Sequence, residues 1–214
     1  MSPLQETKNA RRTQEERRTS MERALLNAAI SCILEFGVAG SPVNLIARRA
    51  NATGGSVQHH FGTRDGLLLR VVEDFGDHLQ AVTQSNIASS QSIEERVAVI
   101  CDASWKIVSS PHYLVVVQIL MAAQHNEQLH AQLFDRLKKY EAALDAYWVQ
   151  IFKGSGVARS RITTVRHVAM GAFRGLALRM QYQRGPPHTL PELDLLKAMI
   201  CSVLLEEKNA ATVR

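Results

Sequence analysis

Six polar or small residues between positions 53 and 59 have side chains that could read a DNA groove together. They lie on one short predicted helix: Thr53, Gly54, Gly55, Ser56, Gln58 and His59. The Gln58 amide can form two hydrogen bonds with adenine, and hydroxyl groups can bond to either base type. Small residues at the start of the helix let its backbone come near base edges and phosphates. The pattern predicts DNA recognition, although a compact helical corner with a solvated polar face would show similar residues.

Basic side chains surround this face. We predict phosphate contacts for Arg48, Arg49, His60 and Arg64, since phosphate contacts fix the register of a protein on a duplex. Residues 1–70 contain ten Lys and Arg against six Asp and Glu, so most of the net charge of +5 lies in this third of the chain. Such an asymmetry suits a polyanionic partner. A solvated basic surface is the competing interpretation.

The elements that must position these residues are two short helices and a tight turn. A first helix over 13–36 precedes them, and its apolar residues keep a 3.6-residue period. Ser41 and Pro42 are predicted to open the second helix, with Ser41 as its cap and Pro42 at its first position. Asn51 can take the left-handed conformation that ends this helix. Thr53 is then the predicted cap of the third helix, so the pair has helix-turn-helix geometry.

The whole chain is predicted to be all-α, with about nine helices. Its 214 residues are 46% hydrophobic and 6% aromatic, a balance that favours helices over sheets. We expect a flexible basic arm over 1–12, a helix-turn-helix domain over 13–63 and a helical second domain over 64–214. Capping boxes are predicted at Thr13 and at Ser92, and loops are predicted over 85–92 and 184–188.

Several classes of protein are disfavoured by the sequence. Its three cysteines are far apart and lack metal-ligand spacing, so we expect reduced thiols and no metal. The polar amino-terminal segment is unlike a secretory signal, and a cytoplasmic protein is expected. A helical enzyme is a poor alternative, because no metalloprotease, nucleophile-elbow, P-loop or dinucleotide motif is present. No cofactor is predicted.

The run IARRANATGGSVQHHFGTRDGL over 46–67 resembles the DNA-binding domain of TetR/AcrR-family transcriptional regulators. That family has the pattern IA-x-x-AGVS-x-GTLYYHF-x-x-K-x-x-L, and the resemblance extends over about 21–70. Asn51 stands where the family has glycine, and Arg64 stands where it has lysine. Gln58 and His59 replace two aromatic residues, so their contacts are expected to differ from the family's. The resemblance also implies that Ser41 contacts a phosphate at the start of the second helix.

The resemblance further implies a helical ligand-binding and dimerisation domain after about residue 85. The last two helices, predicted over 160–183 and 191–207, would form a four-helix bundle with those of a second copy. A two-fold homodimer places its two reading helices about 34–36 Å apart, so a near-palindromic double-stranded DNA operator is expected.

A pocket for a small effector is predicted on the central helices. Aromatic, Met and polar side chains there could line an adaptable apolar cavity, although at helical spacing they could equally fill a core. The candidates are Trp105, Val108, Val117, Gln118, Met121, His125, Tyr147, Trp148, Phe173 and Arg174. Such a pocket would favour a mainly apolar molecule with one polar or anionic group.

Together these features predict a repressor that leaves its operator when a small, mainly apolar ligand binds. The alternative is a DNA-binding regulator that does not sense a small molecule and is controlled by a protein partner.

Overall fold

The computed structural model describes residues 13–84, 92–182 and 191–212. Within these ranges the regular structure is helical, which confirms the all-α prediction. The α-helices are α1 Gln14–Phe36, α2 Val43–Arg49, α3 Gly54–Phe61, α4 Arg64–Gln84, α5 Ile93–Val108, α6 Pro111–Ala122, α7 Glu127–Ile151, α8 Arg159–Tyr182 and α9 Pro191–Thr212, and a 3-10 turn, Ala123–His125, links α6 to α7. The predicted arm over 1–12 and the predicted loop over 184–188 lie outside the described residues, as does the predicted loop over 85–92 apart from Ser92.

Local capping fixes where several helices begin. Thr13 and Ser92 open α1 and α5 with the two predicted capping boxes. The backbone N–H of Glu95, for example, donates to Ser92 Oγ at 3.2 Å. Ser110 also caps α6, directly before Pro111. Because these signals act over three or four residues, they can be found in the sequence without knowing the fold.

The chain divides into two compact units, Met1–Val71 and Val72–Arg214. The division falls inside α4, whereas the sequence suggests a boundary between 63 and 64, where α4 begins. The first eight residues of α4, Arg64 to Val71, therefore belong to the first unit, and Leu67, Leu68 and Val71 are buried there. A single unbroken helix thus begins in one unit and ends in the other.

The core of the first unit is small and apolar. It is built from fully or almost fully buried side chains: Leu25, Leu26, Ala29, Cys32, Ile33, Ile46, Ala47, Val57, Leu67 and Val71. Helix α2 packs between α1 and α3. Helix α3 contributes one buried residue, Val57, at 1% exposure. The core therefore anchors α3 through this side chain, and the other side chains of α3 are not buried in the core.

The core of the second unit lies among α5, α7, α8 and α9, which pack against one another. Its largest members are Trp148, Phe152, Phe173, Ile100 and Leu204. In the described part of the chain, no single helix combines the length and apolar character of a membrane span; the bent pair Ile93–Val108 and Pro111–His125 meets that test only jointly.

Candidate nucleic-acid interface and internal cavity

The turn between α2 and α3 is closed by a Schellman motif with asparagine at the left-handed position. Asn51 has φ 53°. The N–H of Ala52 donates to the Ala47 carbonyl at 2.9 Å, and the N–H of Asn51 donates to the Arg48 carbonyl at 3.1 Å. These two bonds satisfy carbonyls that the end of α2 would otherwise leave open. The predicted left-handed Asn51 is therefore confirmed, and it sets the angle at which α3 leaves α2.

Asn51 gives a first testable prediction. Asn51→Gly is expected to change the free energy of unfolding by no more than about 0.5 kcal/mol. Asn51→Val is expected to lower it by about 1–2 kcal/mol, because a branched Cβ is unfavourable at positive φ. Urea unfolding followed by circular dichroism measures both variants. A valine variant as stable as the wild type would contradict the left-handed turn.

The outer face of α3 is polar and exposed, as predicted. Thr53, Gly55, Gln58 and His59 are exposed, while Gly54, Ser56 and His60 are half-buried. Gln58 and His59 extend from the middle of the helix, where their longer side chains reach furthest. The His59 and His60 rings meet edge to face, with centroids 5.3 Å apart. This face offers amide and imidazole groups to a partner.

The hydroxyls of Thr53 and Ser56 are engaged locally. Ser56 N–H donates to Thr53 Oγ1 at 3.3 Å, and Thr53 N–H donates to Ser56 Oγ at 3.4 Å, which forms a capping box at the start of α3. The two hydroxyl oxygens lie 3.1 Å apart. The sequence identifies both as base readers; the structure shows that they also hold the first turn of α3, which leaves Gln58 and His59 as the less committed side chains.

Gly54, predicted as part of the polar outer face of α3, lies against a side chain of α2. A Cβ at this position would lie 3.0 Å from Asn44 Oδ1, a side chain of α2. Asn44 is itself exposed. Gly54 therefore leaves room for the Asn44 side chain, and Asn44 joins the polar surface at the start of α3. The signal that could have found Asn44 is its place one residue into α2, where a polar side chain faces the following helix.

The three arginines that are predicted to contact phosphates have different surroundings. Arg48 is exposed, and no ion pair is found for it among the described residues. Arg49 is committed within the first unit: it donates to Glu35 Oε2 at 2.6 Å and to Ser31 Oγ at 3.0 Å. Arg64 donates to the Val38 carbonyl and so ties the start of α4 to the end of α1. Arg48 is thus the least committed of the three arginines.

Ser41 is neither the cap of α2 nor exposed, in contrast to the prediction. Its side chain is 1% exposed, and its Oγ donates to the Gly37 carbonyl at 2.7 Å. Pro42 takes the cap position of α2, where no side chain bonds the helix. Ser41 therefore closes the link between α1 and α2 from inside, because its hydroxyl satisfies a carbonyl at the end of α1. A buried hydroxyl already bonded in this way is not presented to a phosphate.

The second unit contains a cavity of about 200 Å³. Its walls come from five helices: Val72, Phe75 and Leu79 of α4; Ser104, Ile107 and Val108 of α5; Tyr113, Val116 and Leu120 of α6; Leu137, Tyr140, Glu141 and Leu144 of α7; Met170 and Arg174 of α8. Gly76 of α4 lies against the Tyr140 ring, with no room for a Cβ. The walls are mostly apolar, which is typical of sites for small organic ligands.

One end of the cavity is polar and charged. Arg174 donates to Glu141 Oε1 at 2.7 Å, and Arg166 lies 2.8 Å from the other oxygen of this carboxylate. Burial raises the pKa of Glu141, but the hydrogen bonds from Arg174 and Arg166 outweigh it and hold that pKa below its usual value. Burial raises the pKa of Tyr113, although Arg174 beside it acts in the opposite direction. The end therefore carries ionised Arg174 and Glu141 with a neutral phenol.

Two of the ten predicted pocket residues, Val108 and Arg174, line this cavity. Trp148 and Phe173 are instead core residues, at 1% and 0% exposure. Trp105 and Tyr147 pack against the same core. The others stand outside the cavity walls: Val117 and Gln118 are half-buried on α6, and Met121 and His125 are exposed. Helical periodicity identifies inward-facing side chains, but it does not distinguish a filled core from a hollow one.

The wall residues that the sequence reading missed include Phe75, Tyr113, Tyr140 and Glu141. A signal existed for Tyr140, which has Leu137 and Leu144 one turn away on either side. No local signal marks Glu141, because a charged residue on a long helix is most often solvated. Its partner Arg174 is more than thirty residues away along the chain, so only the packed structure joins them.

Comparisons with known proteins match this architecture. Residues 25–71 match the family model described as bacterial regulatory proteins, tetR family. The HTH-type transcriptional regulator CymR of Pseudomonas putida is 21% identical over 174 residues, which cover 81% of this chain and 86% of that protein. A transcriptional regulator of Rhodococcus sp. Rha1 has a similar fold, with a TM-score of 0.68 at 19% identity over 86% of this chain and 96% of that one. AibR, solved with isovaleryl coenzyme A and operator DNA, aligns with a TM-score of 0.60 at 20% identity over 86% of this chain and 98% of that one.

Proposed function

We propose that this chain is a transcriptional regulator of the tetR family, whose model its residues 25–71 match, and that it reads a specific DNA operator with α3. The relative CymR, similar over most of both chains, is named as a transcriptional regulator. The proposal rests on how α3 is buried: one apolar side chain faces the core, and the polar side chains face outward. Val57 alone of its residues is buried, and Gln58 and His59 are exposed beside Arg48 of α2. A short helix anchored by one side chain can enter a major groove with its outer face intact. Such a protein acts on DNA in the cytoplasm.

A homodimer is part of this proposal. Helices α8 and α9 expose large apolar side chains: Val168 at 67%, Leu178 at 49%, Leu195 at 62%, Met199 at 57% and Val203 at 37%. Gly171 and Gly175 on α8 have open space where a Cβ would be. Exposed apolar side chains and bare backbone on neighbouring helices favour close packing against another helical pair. Two copies joined there would present two α3 helices to a near-palindromic operator.

The second part of the proposal is repression released by a small, mainly apolar effector. Val72, Phe75 and Leu79 on α4 line the cavity, and the same helix begins at Arg64, which bonds the Val38 carbonyl in the first unit. A ligand that requires a shifted α4 would also displace the residues of α4 that belong to the first unit. Only a molecule with unequal affinity for the two positions of α4 can release the operator in this way.

Selection from a pool of random double-stranded DNA tests operator recognition. Purified protein is expected to enrich a near-palindrome with half-sites about one helical turn apart. Affinity for the enriched duplex is then measured by gel shift at low and high salt. Absence of DNA binding at low salt would end the proposal.

Gln58 and Arg48 form a matched pair for the next prediction. Gln58→Ala is expected to reduce discrimination between the operator and a duplex changed at one half-site base by about tenfold, since one bidentate base contact contributes about 1–3 kcal/mol. Arg48→Ala is expected to weaken binding to both duplexes equally and to reduce the salt dependence by about one phosphate contact. Fluorescence anisotropy over a range of salt concentrations separates the two effects. Equal loss of discrimination in both variants would contradict the assignment of Gln58 as a base reader.

A thermal-shift screen tests the effector. Compounds that bind the folded protein raise its melting temperature by mass action, and those compounds should also lower operator affinity in the gel shift. If operator binding is present and no compound produces either change, the alternative of a regulator controlled by a protein partner replaces ligand release.

A further inference from the structure

The cavity of the second unit adjoins an open groove on the surface. This outer groove, also of about 200 Å³, lies between α6 and α7 and shares the walls Leu120 and Leu137 with the cavity. Beyond these two leucines its walls include Met121 and Phe134, which are 64% and 59% exposed. The shared walls make the two spaces neighbours; the boundary between them, formed by Leu120 and Leu137, is termed the passage.

The order of residues on two antiparallel stretches gives this combined space a direction. Along α6, Tyr113 stands at the charged end of the cavity and Leu120 at the passage. Seven residues of helix separate them, which is about 10 Å at 1.5 Å per residue. Along α7 the same order runs backwards, from Glu141 to Leu137 and then to Phe134. Both helices therefore lead from the charged end of the cavity, past apolar side chains, to the outer groove.

The charged end has more donors than acceptors. Glu141 already accepts from Arg174 and lies against the fully buried Arg166, which is also paired with Asp145 at 2.6 Å, so an entering cation would find both carboxylates already engaged by guanidinium groups. Arg174 has five N–H groups; one donates to Glu141 and another bonds the Tyr113 hydroxyl, which leaves N–H groups for a ligand. The hydroxyls of Tyr113 and Ser104 line the same cavity. An anion that accepts hydrogen bonds fits this end better than a cation does.

We propose that the effector is an elongated amphiphilic carboxylate. Its carboxylate lies at Arg174 and Tyr113, and its unbranched apolar chain passes between Leu120 and Leu137 toward Met121 and Phe134. A carboxylate matches the planar fork of a guanidinium group. The inference rests on the proposed effector cavity and names the chemical class of its ligand.

The test uses the full-length protein without DNA and four probes of increasing length: hexanoate, octanoate, decanoate and dodecanoate, each below its micellar concentration. The matching primary alcohols and dodecyltrimethylammonium are the neutral and cationic comparisons. Isothermal titration calorimetry measures affinity. Affinity is expected to rise from hexanoate to dodecanoate, and each alcohol is expected to bind about tenfold more weakly than its acid, since a hydrogen bond to a charged group contributes about 1.5–3 kcal/mol.

Three variants separate the charged end of the cavity from the outer groove. Arg174→Gln is expected to lower carboxylate affinity about tenfold and leave alcohol affinity unchanged. Leu120→Trp is expected to obstruct the passage, so that dodecanoate loses about tenfold in affinity and hexanoate loses little. Arg179→Gln is the matched control on α8: Arg179 is bonded to Glu192 at 2.6 Å and does not line the cavity. It is expected to bind every probe as the wild type does.

Stronger binding of the alcohols or of the cationic amphiphile would overturn the inference, as would chain-length dependence that Leu120→Trp does not alter. Operator affinity is measured separately on the same preparations. If the carboxylates bind as described and do not release the operator, the carboxylate assignment is supported and the release mechanism fails. If no carboxylate binds while another compound releases the operator, the release mechanism is supported and the carboxylate assignment fails.

Discussion

Replacing Leu195 and Met199 together by glutamate is expected to convert the protein from a dimer to a monomer and to lower its operator affinity by about a hundredfold or more. Both side chains are more than half exposed on α9, at 62% and 57%. In the proposed dimer they would be buried against α8 and α9 of the second copy. Burying two carboxylates per subunit in an apolar interface without partners is strongly unfavourable. Losing the second α3 then removes the gain from binding two half-sites at once, which is about 10²–10⁴ in affinity.

Light scattering after size exclusion measures the oligomeric state, and fluorescence anisotropy measures affinity for the selected duplex. Val99→Glu provides the control, because Val99 is a large apolar residue exposed on α5 at 37% and the same substitution there is expected to leave the dimer intact. Circular dichroism checks that each variant remains helical. A double variant that stays dimeric would place the interface elsewhere. A monomeric variant with unchanged operator affinity would show that one α3 is sufficient.

Replacing Arg166 by methionine is expected to lower the free energy of unfolding by about 3 kcal/mol, the lower part of the range for breaking a buried ion pair. Arg166 is the largest charged side chain without solvent exposure in the described part of the second unit. Its Nε donates to Asp145 Oδ1 at 2.6 Å, and its Nη1 lies 2.8 Å from Glu141 Oε2. The substitution would leave two carboxylates with reduced compensation. Both remain partly solvated, at 27% and 40% exposure, which places the cost at the lower part of the range.

Arg179→Met is the matched control for Arg166. Arg179 pairs with Glu192 at 2.6 Å, but both side chains are about 40% exposed, and such pairs contribute only about 0.2–1 kcal/mol. Urea unfolding at one fixed protein concentration compares the two variants, because the stability of a dimer depends on concentration. If both variants lost the same free energy of unfolding, burial of the Arg166 ion pairs would not make them more stabilising than the exposed pair of Arg179.

The difference in stability between the wild type and Arg166→Met is expected to depend on pH, and the pKa of Glu141 sets the direction of this dependence. This pKa is lowered in the folded protein, against the desolvation caused by burial, by Arg174 and Arg166. A lowered carboxyl pKa contributes stability above the unfolded-state value, and this stability is lost as the pH falls through the folded-state value. The difference between wild type and Arg166→Met is therefore expected to narrow below about pH 4.5, the ordinary pKa of the group. A difference that widens in acid would contradict this account of Glu141.

The α2–turn–α3 corner could be predicted from the sequence because its signals are local. The capping residue Thr53, the left-handed Asn51 and the buried Val57 lie within seven positions of one another. Each acts through bonds or packing that span at most one turn of helix. The roles of Arg49 and Ser41 could not be predicted in the same way. Arg49 is held by Glu35, fourteen residues away, and Ser41 turns inward to the Gly37 carbonyl.

What the sequence alone determined about this protein is its helical class, its helix starts and the polar face of α3, because capping, periodicity and turn chemistry act between near neighbours. Only the tertiary structure decided which inward-facing side chains surround empty space. Trp148 and Phe173 fill the core, whereas Tyr140 and Glu141 face a cavity whose walls come from five helices. The helical periodicity of the sequence is the same for a side chain packed against its neighbours and for a side chain that lines a cavity. The difference arises from how separate helices pack, and no short stretch of chain contains that information.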